Sequence, residues 1–582
     1  MVQLSANSMK VLQRRYLRRN TDGSVIETPD ELFHRVAKAV ASAELFWNKT
    51  GTEKIWEDKF YRVMNELLFL PNSPTLMNAG TGNNQLSACF VLPVDDNMNS
   101  IFTTLKNAAL IQQSGGGTGF NFSHLRPKDD LVFATGGTAS GPVSFMKIFD
   151  TATEHIKQGG KRRGANMGIL NVDHPDIEEF INAKREKRVL NNFNTSVGIT
   201  DEFMNTVEHN GEWNLIHPNS KAIVKNISAK KIWNDIIENA WQTGDPGLIF
   251  IDTINRTNPT PGLGKMECTN PCGEVPLLAY EPCNLGSVNL SKFIKQNNSS
   301  NEIDWHHLEE VIKIAIRFLD NVIEVNNYIF PEIKTMALGN RKIGLGVMGW
   351  AELLILLEIP YDSEKAIRLA EQLMQFIQQK TIEESVLLAE ERGVFLNWNK
   401  SIYYPDKKIR NATMTSIAPT GTISIIADTS PSIEPLFALA FQRQHVLNDE
   451  TLFSINPLFI NYLKKHKLYS EKIIQQLIKD GVAGQIKELP LTVKHLFKTA
   501  LEISPPWHLQ HQLAFQKHTD NAVSKTINLP ETASEMEVEE IYKSAWQQRA
   551  KGITIFRYNS REKQVMQQGI KYGIKGCKVC IE

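Results

Sequence analysis

The chain has 582 residues, 42% of them hydrophobic, enough to bury a large core, and this length suggests about two to four domains unless one large barrel takes most of it. Lysine plus arginine and aspartate plus glutamate both number 64, so no net basic field is available to hold a nucleic-acid backbone, and nucleic acid is not expected as a partner. The N-terminus lacks the basic start and apolar run of a secretory signal, no long uncharged apolar stretch occurs, and six cysteines in so long a chain make no disulfide scaffold, so a cytoplasmic protein with no membrane partner is expected.

In chain order, Thr28-Pro29-Asp30-Glu31 combines an N-cap threonine, a proline at the first helical position and a glutamate three after the cap, which predicts a helix with Leu32, Phe33, Val36, Val40 and Ala43 on its apolar face. Short β-rich runs follow at 87–92, 168–172, 197–199, 247–251 and 414–418, separated by helical segments. A long helix is predicted from Ser363 to a glycine stop at Gly393. This alternation predicts an α/β fold with much parallel sheet. The last residues, from Arg561, are polar and lysine-rich and read as a mobile tail over 561–582.

Chemistry concentrates around the cysteines. In Asn270-Pro271-Cys272-Gly273-Glu274, proline and glycine rule out a regular helix or central strand, so Cys272 is expected on a loop with a carboxylate two residues away. An exposed thiol beside a glutamate suits nucleophilic or radical chemistry, although a cysteine in an intracellular chain is commonly just a small buried hydrophobe. Cys283 follows eleven residues later in Glu281-Pro282-Cys283-Asn284-Leu285-Gly286-Ser287. Pro419-Thr420-Gly421-Thr422-Ile423-Ser424 offers small residues and backbone amides at a strand-to-helix turn, which suits phosphate oxygens but also describes many plain loops. The glycines at 115–117 are open to a second reading, tight packing of a helix start. Lys161, Arg162 and Arg163 between glycines would ordinarily be a solvated basic turn. Cys577-Lys578-Val579-Cys580 is a C-x-x-C pair with no second pair to complete a zinc site, leaving a redox pair or an inert tail. His508, His511 and His518 lack a clear fourth ligand and read as core or solvent-facing histidines, so no protein-bound metal is expected.

Taken together, these segments resemble the catalytic chain of ribonucleotide reductases. Asn270-x-Cys272-x-Glu274 is similar to that family's finger-loop motif. The runs 72–80 and 86–90, Ser114 to Phe120, Gln158 to Ala165 and Pro419 to Ser424 resemble further family signatures in collinear order over roughly residues 25–565. The resemblance implies a ten-stranded α/β barrel over 67–560, two five-stranded parallel halves set antiparallel with the Cys272 loop through the middle, and an N-terminal helical region over 1–66. That region leaves no room for a nucleotide-binding (ATP) cone, so overall activity control by that route is expected absent.

The resemblance also implies roles. Cys272 carries the thiyl radical, Glu274 serves as general base and Asn270 hydrogen-bonds the sugar. Cys89 and Cys283 supply two electrons, and Cys577 and Cys580 re-reduce them before a thioredoxin-like partner acts. The substrate, a ribonucleoside diphosphate, is expected against Ser73, Thr75, Ser87, Ala88 and Gly117 and against Pro419, Thr420, Gly421, Thr422, Ile423 and Ser424. A deoxynucleotide or ATP effector is expected near Asp150, Gly160, Lys161, Arg162 and Arg163, with residues 136–141 as a companion loop, at a homodimer interface. Asp150 is placed at the start of the helical segment between the loops. Cys268 has no role in this reading and is left structural.

For the radical source, Thr554-Ile555-Phe556-Arg557-Tyr558-Asn559-Ser560-Arg561 stands where partner-dependent relatives have a tyrosine pair, and phenylalanine cannot relay an electron and proton as a phenol does. A glycyl-radical motif is not found. Adenosylcobalamin, with its cobalt, is therefore the expected cofactor, and no Asp-x-His-x-x-Gly signature occurs that would supply a histidine to cobalt. Two alternatives stay open: a partner-dependent reductase using another relay such as Tyr542 or Tyr558, and a catalytically silent nucleotide-binding relative.

Overall fold

The computed structural model describes residues 4–47, 51–132, 136–158, 162–186, 189–297, 300–447, 450–560 and 566–569. The chain opens with helices α1 (Ala6–Arg15), α2 (Pro29–Ala41) and α3 (Glu53–Asn65). The predicted cap of α2 is present in full: Thr28 Oγ1 accepts from Glu31 N and the Glu31 carboxylate accepts from Thr28 N. Leu32, Phe33, Val36 and Val40 are fully buried as the periodicity required.

Five strands then run parallel. They are β1 (Cys89–Val91), β2 (Gly117–Asn121), β3 (Asn166–Asn171), β4 (Phe193–Ile199) and β5 (Gly247–Phe250), paired in that order. Helix α4 (Pro142–His155) is one of the crossovers between them. Their side chains are almost all buried, the pattern of parallel strands covered on both faces. After β5 a short hairpin, β6 (Cys268–Thr269) and β7 (Pro276–Leu277), turns back on itself.

The second half begins with β8 (Pro282–Asn289), beside which β9 (Ile343–Met348) lies parallel. Helices α5 (Trp305–Val325) and α6 (Glu364–Arg392) flank this half, α6 ending at Gly393 as predicted and capped by the Ser363 side chain. Residues 414–418, predicted as a strand, occupy the next position but are held by single parallel bridges, Leu345 to Thr415 and Ile417 to Val523. The regular ladder fails there because the segment's backbone is shared with side chains: the Asp520 carboxylate accepts from Met414 N and Thr415 N. Strands β10 (Thr526–Leu529) and β11 (Gly552–Arg557) complete the half, again parallel.

Two antiparallel seams close the ring, β1 on β8 and β5 on β11. The result is the expected barrel of two five-stranded parallel halves, with an extra short strand at Phe69–Pro71 on β8. The finger hairpin β6–β7 threads its interior. A buried charge lattice fixes the helices outside: Arg392 bonds both Glu44 and Asp320, Arg317 bonds Glu44, and Arg341 bonds Asp320, all at 2.6–3.0 Å. Burial pushes the Asp320 carboxyl up, but Arg341, Arg410 and Arg392 together outweigh it and hold it well below the usual range. Among the described residues no helix is long and apolar enough to cross a membrane.

Candidate active site inside the barrel

The finger's geometry follows from its sequence. Cys268 pairs with Leu277 and Thr269 with Pro276, leaving 270–275 as the tip. Gly273 sits at φ +82° and its N–H donates to Asn270 O, while Val275 N donates to Asn270 Oδ1, so asparagine and glycine together make the tight turn. Neighbouring staves grip the tip. Asn194 Nδ2 on β4 donates to Pro271 O at 2.8 Å, and Ser416 Oγ and Ala522 N both donate to Glu274 O at 2.9 Å.

The glycines of β2 allow this approach. A Cβ at Gly119 would lie 1.8 Å from Thr269 O, and one at Gly117 would lie 2.9 Å from Pro271 Cγ. Gly115 to Gly117 follow the end of the helix Met98–Gln113 and lead into β2, so the alternative of a tightly packed helix start is corrected. Gly117 admits the finger, Gly116 packs against Phe90 and Ile111, and Gly115 takes φ +105°.

Cys272 is the exposed member of the cysteines in the described residues, and its thiol faces a cavity of about 810 Å³ inside the barrel. Burial within the protein still pushes this thiol above its ordinary range, with the Glu274 charge adding to the effect. Burial raises the Glu274 carboxyl to about 7, partly countered by the Asn270 amide nearby. Its Oε2 is buried without a protein partner. A carboxyl poised near neutrality with a free oxygen beside a thiol can take or give a proton.

Cys89 and Cys283 lie directly opposite each other across the β1–β8 seam, both buried. Opposed residues of an antiparallel pair have Cα atoms about 4.5–5.5 Å apart, within the span a disulfide bridges. The Asn270 amide also favours the Cys89 thiolate, so one side chain bears on both the carboxyl and the redox-competent seam. Cys268 is buried in the hairpin, its thiol on Thr269 O, in keeping with a structural part.

The turn after residue 418 enters the helix Ile423–Ile426. Pro419, Gly421 and Ser424 line the cavity, and Ser424 Oγ is buried without a protein partner. Thr420 holds the turn, at φ +53° with its Oγ1 accepting from Ser432 N, while Thr422 Oγ1 is 3.5 Å from Arg15 Nη1 of α1. Ile423 is buried. Ser73 and Thr75 begin a short helix capped by Asn72, Ser73 Oγ on Tyr16 OH and Thr75 Oγ1 on Leu86 O, which makes them supports of the segment carrying Ser87 and Ala88. Ala88 itself bonds Cys283 O and Gly117 N through its backbone.

Asp150 requires a correction. Pro142, after Gly141 at φ +75°, fixes the start of α4, so Asp150 lies well inside the helix, and its carboxylate and carbonyl accept from Asn192. Arg162 and Arg163 form a short strand antiparallel to Lys157–Gln158 just beyond α4. Gly160, Lys161, Cys577 and Cys580 lie outside the described residues.

The cavity also holds residues that the motifs did not single out. Glu352 accepts from Thr429 Oγ1 and Ser430 N, and Lys525 donates to Glu434 Oε2 at 2.5 Å and to His508 Nδ1 at 2.9 Å. No local pattern marks them, since each is brought in from a different stave. His508 and His511 are fully buried and hydrogen-bonded, as core histidines, and among the described residues no cluster of His, Cys, Asp or Glu could hold a metal.

A ten-stave barrel with a cysteine-tipped finger defines the catalytic chain of a radical nucleotide reductase. The descriptions "Ribonucleotide reductase, barrel domain" and "Ribonucleotide reductase, all-alpha domain" match residues 87–408 with 405–556 and residues 2–84. The chain belongs to the ribonucleotide reductase family. It is 48% identical to a vitamin B12-dependent ribonucleoside-diphosphate reductase of Thermoplasma acidophilum, over 98% of this chain and 81% of that one. It is 49% identical to a protein of the same description from Mycobacterium tuberculosis, over 97% and 81%. Among solved structures, the class Id ribonucleotide reductase alpha subunit of Actinobacillus ureae superposes with a TM-score of 0.78 at 25% identity, covering 96% of this chain and 97% of that one.

Proposed function

We propose that this chain reduces ribonucleoside diphosphates to 2′-deoxyribonucleotides by thiyl-radical chemistry started by adenosylcobalamin. One observation carries the reading: Cys272 is held at the tip of a finger inside a closed barrel, within reach of a near-neutral carboxyl and an in-register cysteine pair.

In this reading Cys272 Sγ takes the 3′ hydrogen of the ribose, Glu274 accepts the 3′ hydroxyl proton through its free Oε2, and Asn270 orients the sugar. The 2′ hydroxyl leaves as water. Cys89 and Cys283 give up two electrons and two protons and join as a disulfide, after which the 3′ hydrogen returns from Cys272. Ser424 Oγ and the backbone of 419–424 receive the diphosphate, while Ser73, Thr75, Ser87, Ala88 and Gly117, none of which lines the cavity, support the strand that carries Cys89. The barrel shields the carbon radical from bulk water.

The cavity fits the cofactor on two counts. Its volume lies directly over the Cys272 thiol, and its walls are largely apolar, including Pro431, Pro435, Phe437 and Phe556. Adenosylcobalamin supplies a cobalt–carbon bond that breaks homolytically. Phe556, which replaces a phenol with an apolar ring at this wall, suits a cofactor seated here better than a relay from a partner. The effector is assigned to the region of α4, with residues 136–141 before its start and the Arg162–Arg163 hairpin beyond its end, at a homodimer interface, and the Cys577 and Cys580 pair to regeneration with a thioredoxin-like protein.

The test is anaerobic turnover of cytidine diphosphate with dithiothreitol and an effector deoxynucleotide, with and without adenosylcobalamin. Deoxycytidine diphosphate formed only with the cofactor, and not by Cys272→Ala, supports the reading. A complete assay over all four diphosphates and triphosphates that stays silent overturns it.

A further inference from the structure

Strand β8 places Cys283 between two very different neighbours. On one edge it faces Cys89 in register. On the other edge β9 runs parallel with Asn284 opposite Ile343, so the residue in register with Cys283 is Lys342. Register partners present their side chains to the same face of a sheet, and Glu281, two residues before Cys283, shares that face as well. Lys342 is buried, its Nζ donating to Glu281 Oε2 at 2.7 Å, while Glu281 also accepts from Leu278 N and Asn340 Nδ2. A row therefore runs across the seam: Cys89, Cys283, then a fully desolvated ammonium. A buried lysine at this place has no part in the chemistry described so far.

We propose that Lys342 makes the Cys89–Cys283 disulfide directional, stabilising the Cys283 thiolate as leaving group so that an incoming thiol attacks Cys89. The proposal rests on the reading of Cys89 and Cys283 as the redox pair. In the first exchange the thiolate of a monothiol or dithiol reductant bonds to Cys89 Sγ, the old S–S bond breaks, and its electron pair departs on Cys283 Sγ beside the ammonium. The thiolate then takes a proton. In the second exchange another reductant thiol attacks the mixed disulfide and frees Cys89, so the reductant leaves oxidised and the protein has gained two electrons. The sulfur with the better stabilised thiolate leaves faster. Charges around the two sulfurs differ in the required sense: Lys342 favours the Cys283 thiolate against Glu281 and Glu274, whereas Glu274, Cys283 and Cys272 disfavour that of Cys89, which only the neutral Asn270 amide favours.

The experiment oxidises the full chain with diamide, confirms the disulfide by peptide mapping, then exposes it briefly to 2-mercaptoethanol and traps freed thiols with N-ethylmaleimide. The wild-type chain is expected to carry the mercaptoethanol on Cys89 and the maleimide on Cys283 in about tenfold excess over the reverse. Because Lys342→Met alone would strand Glu281 in the core, the double variant K342M/E281Q is used, and its excess is expected to fall to about unity. E281Q, which releases the ammonium from its partner, is expected to increase it. An unchanged excess in K342M/E281Q, or an adduct chiefly on Cys283 in the wild type, overturns the proposal. Failure of diamide to join Cys89 to Cys283 at all overturns the redox-pair reading beneath it.

Discussion

Cys89 and Cys283 are register partners in the antiparallel step between the first strands of the two parallel halves, so the seam that closes this side of the barrel is also where two thiols meet. Register partners of an antiparallel pair lie within the Cα separation that a disulfide spans. Mild oxidation of the resting protein should therefore yield a Cys89–Cys283 bond with little change in circular dichroism. A different pairing among 89, 268, 272 and 283 in the mass map would contradict the geometry.

Cys272→Ser removes the thiol with almost no change of shape. Turnover should fall by at least about 10³-fold while stability stays within about 0.5 kcal/mol of wild type, since the side chain faces a cavity and fills no core position. A comparable loss of melting temperature and activity together would place Cys272 in the packing instead.

Glu274 should govern the acid limb of the pH profile. With its carboxyl raised to about 7 by burial, the base form is lost as pH falls through neutrality, and kcat should fall with it. The stability effect has the opposite sign. Between the unfolded carboxyl value and about 7 the folded state holds the extra proton, so stability declines as pH rises through that window, by up to about 3 kcal/mol. Glu274→Gln should lose about 10²–10⁴-fold in turnover and abolish that decline, which denaturant titrations at pH 5 and pH 8 would read.

Gly119→Ala tests the finger's seat. Its Cβ would overlap Thr269 O, so β2 and the hairpin must separate. The expected result is a folded protein about 1–3 kcal/mol less stable whose turnover falls far more than its stability implies, because a displacement near 1 Å suffices to misplace a reacting thiol. Wild-type activity in this variant would show that the thiol's position tolerates movement of the finger.

Outside the barrel, Asp320→Ala should leave Arg341, Arg392 and Arg410 without their shared counter-charge, at a cost of about 3–5 kcal/mol. Urea unfolding reads this directly, and a loss below about 1 kcal/mol would mean that Glu44 and Glu324 suffice to balance the lattice.

Helices with local punctuation were legible in the sequence: Thr28 with Glu31, and Ser363 with Gly393, mark ends that chain neighbours alone determine. The cysteine-bearing finger was legible as a displayed loop because Pro271 and Gly273 forbid regular structure, though not as a hairpin tip. Residues 414–418 look like a strand by composition, but Asp520, a hundred residues on, takes their amides. Asp150 was placed too near a helix start because the Gly141-Pro142 signal went unread. Lys342, Lys525 and Glu352 carried no motif, since their neighbours Glu281, Glu434 and Ser430 arrive only through topology.

The second seam, where Leu248 meets Ile553, joins segments separated by more than half the chain. A ribosome must therefore have made the strand at Gly552–Arg557, about three hundred residues after β5, before that stave can dock and the cavity acquire its wall at Thr554 to Phe556. A nascent or prematurely ended polypeptide can hold the finger's cysteine but no sealed chamber around it. The order of synthesis thus withholds the reactive compartment until the strand at Gly552–Arg557 has emerged.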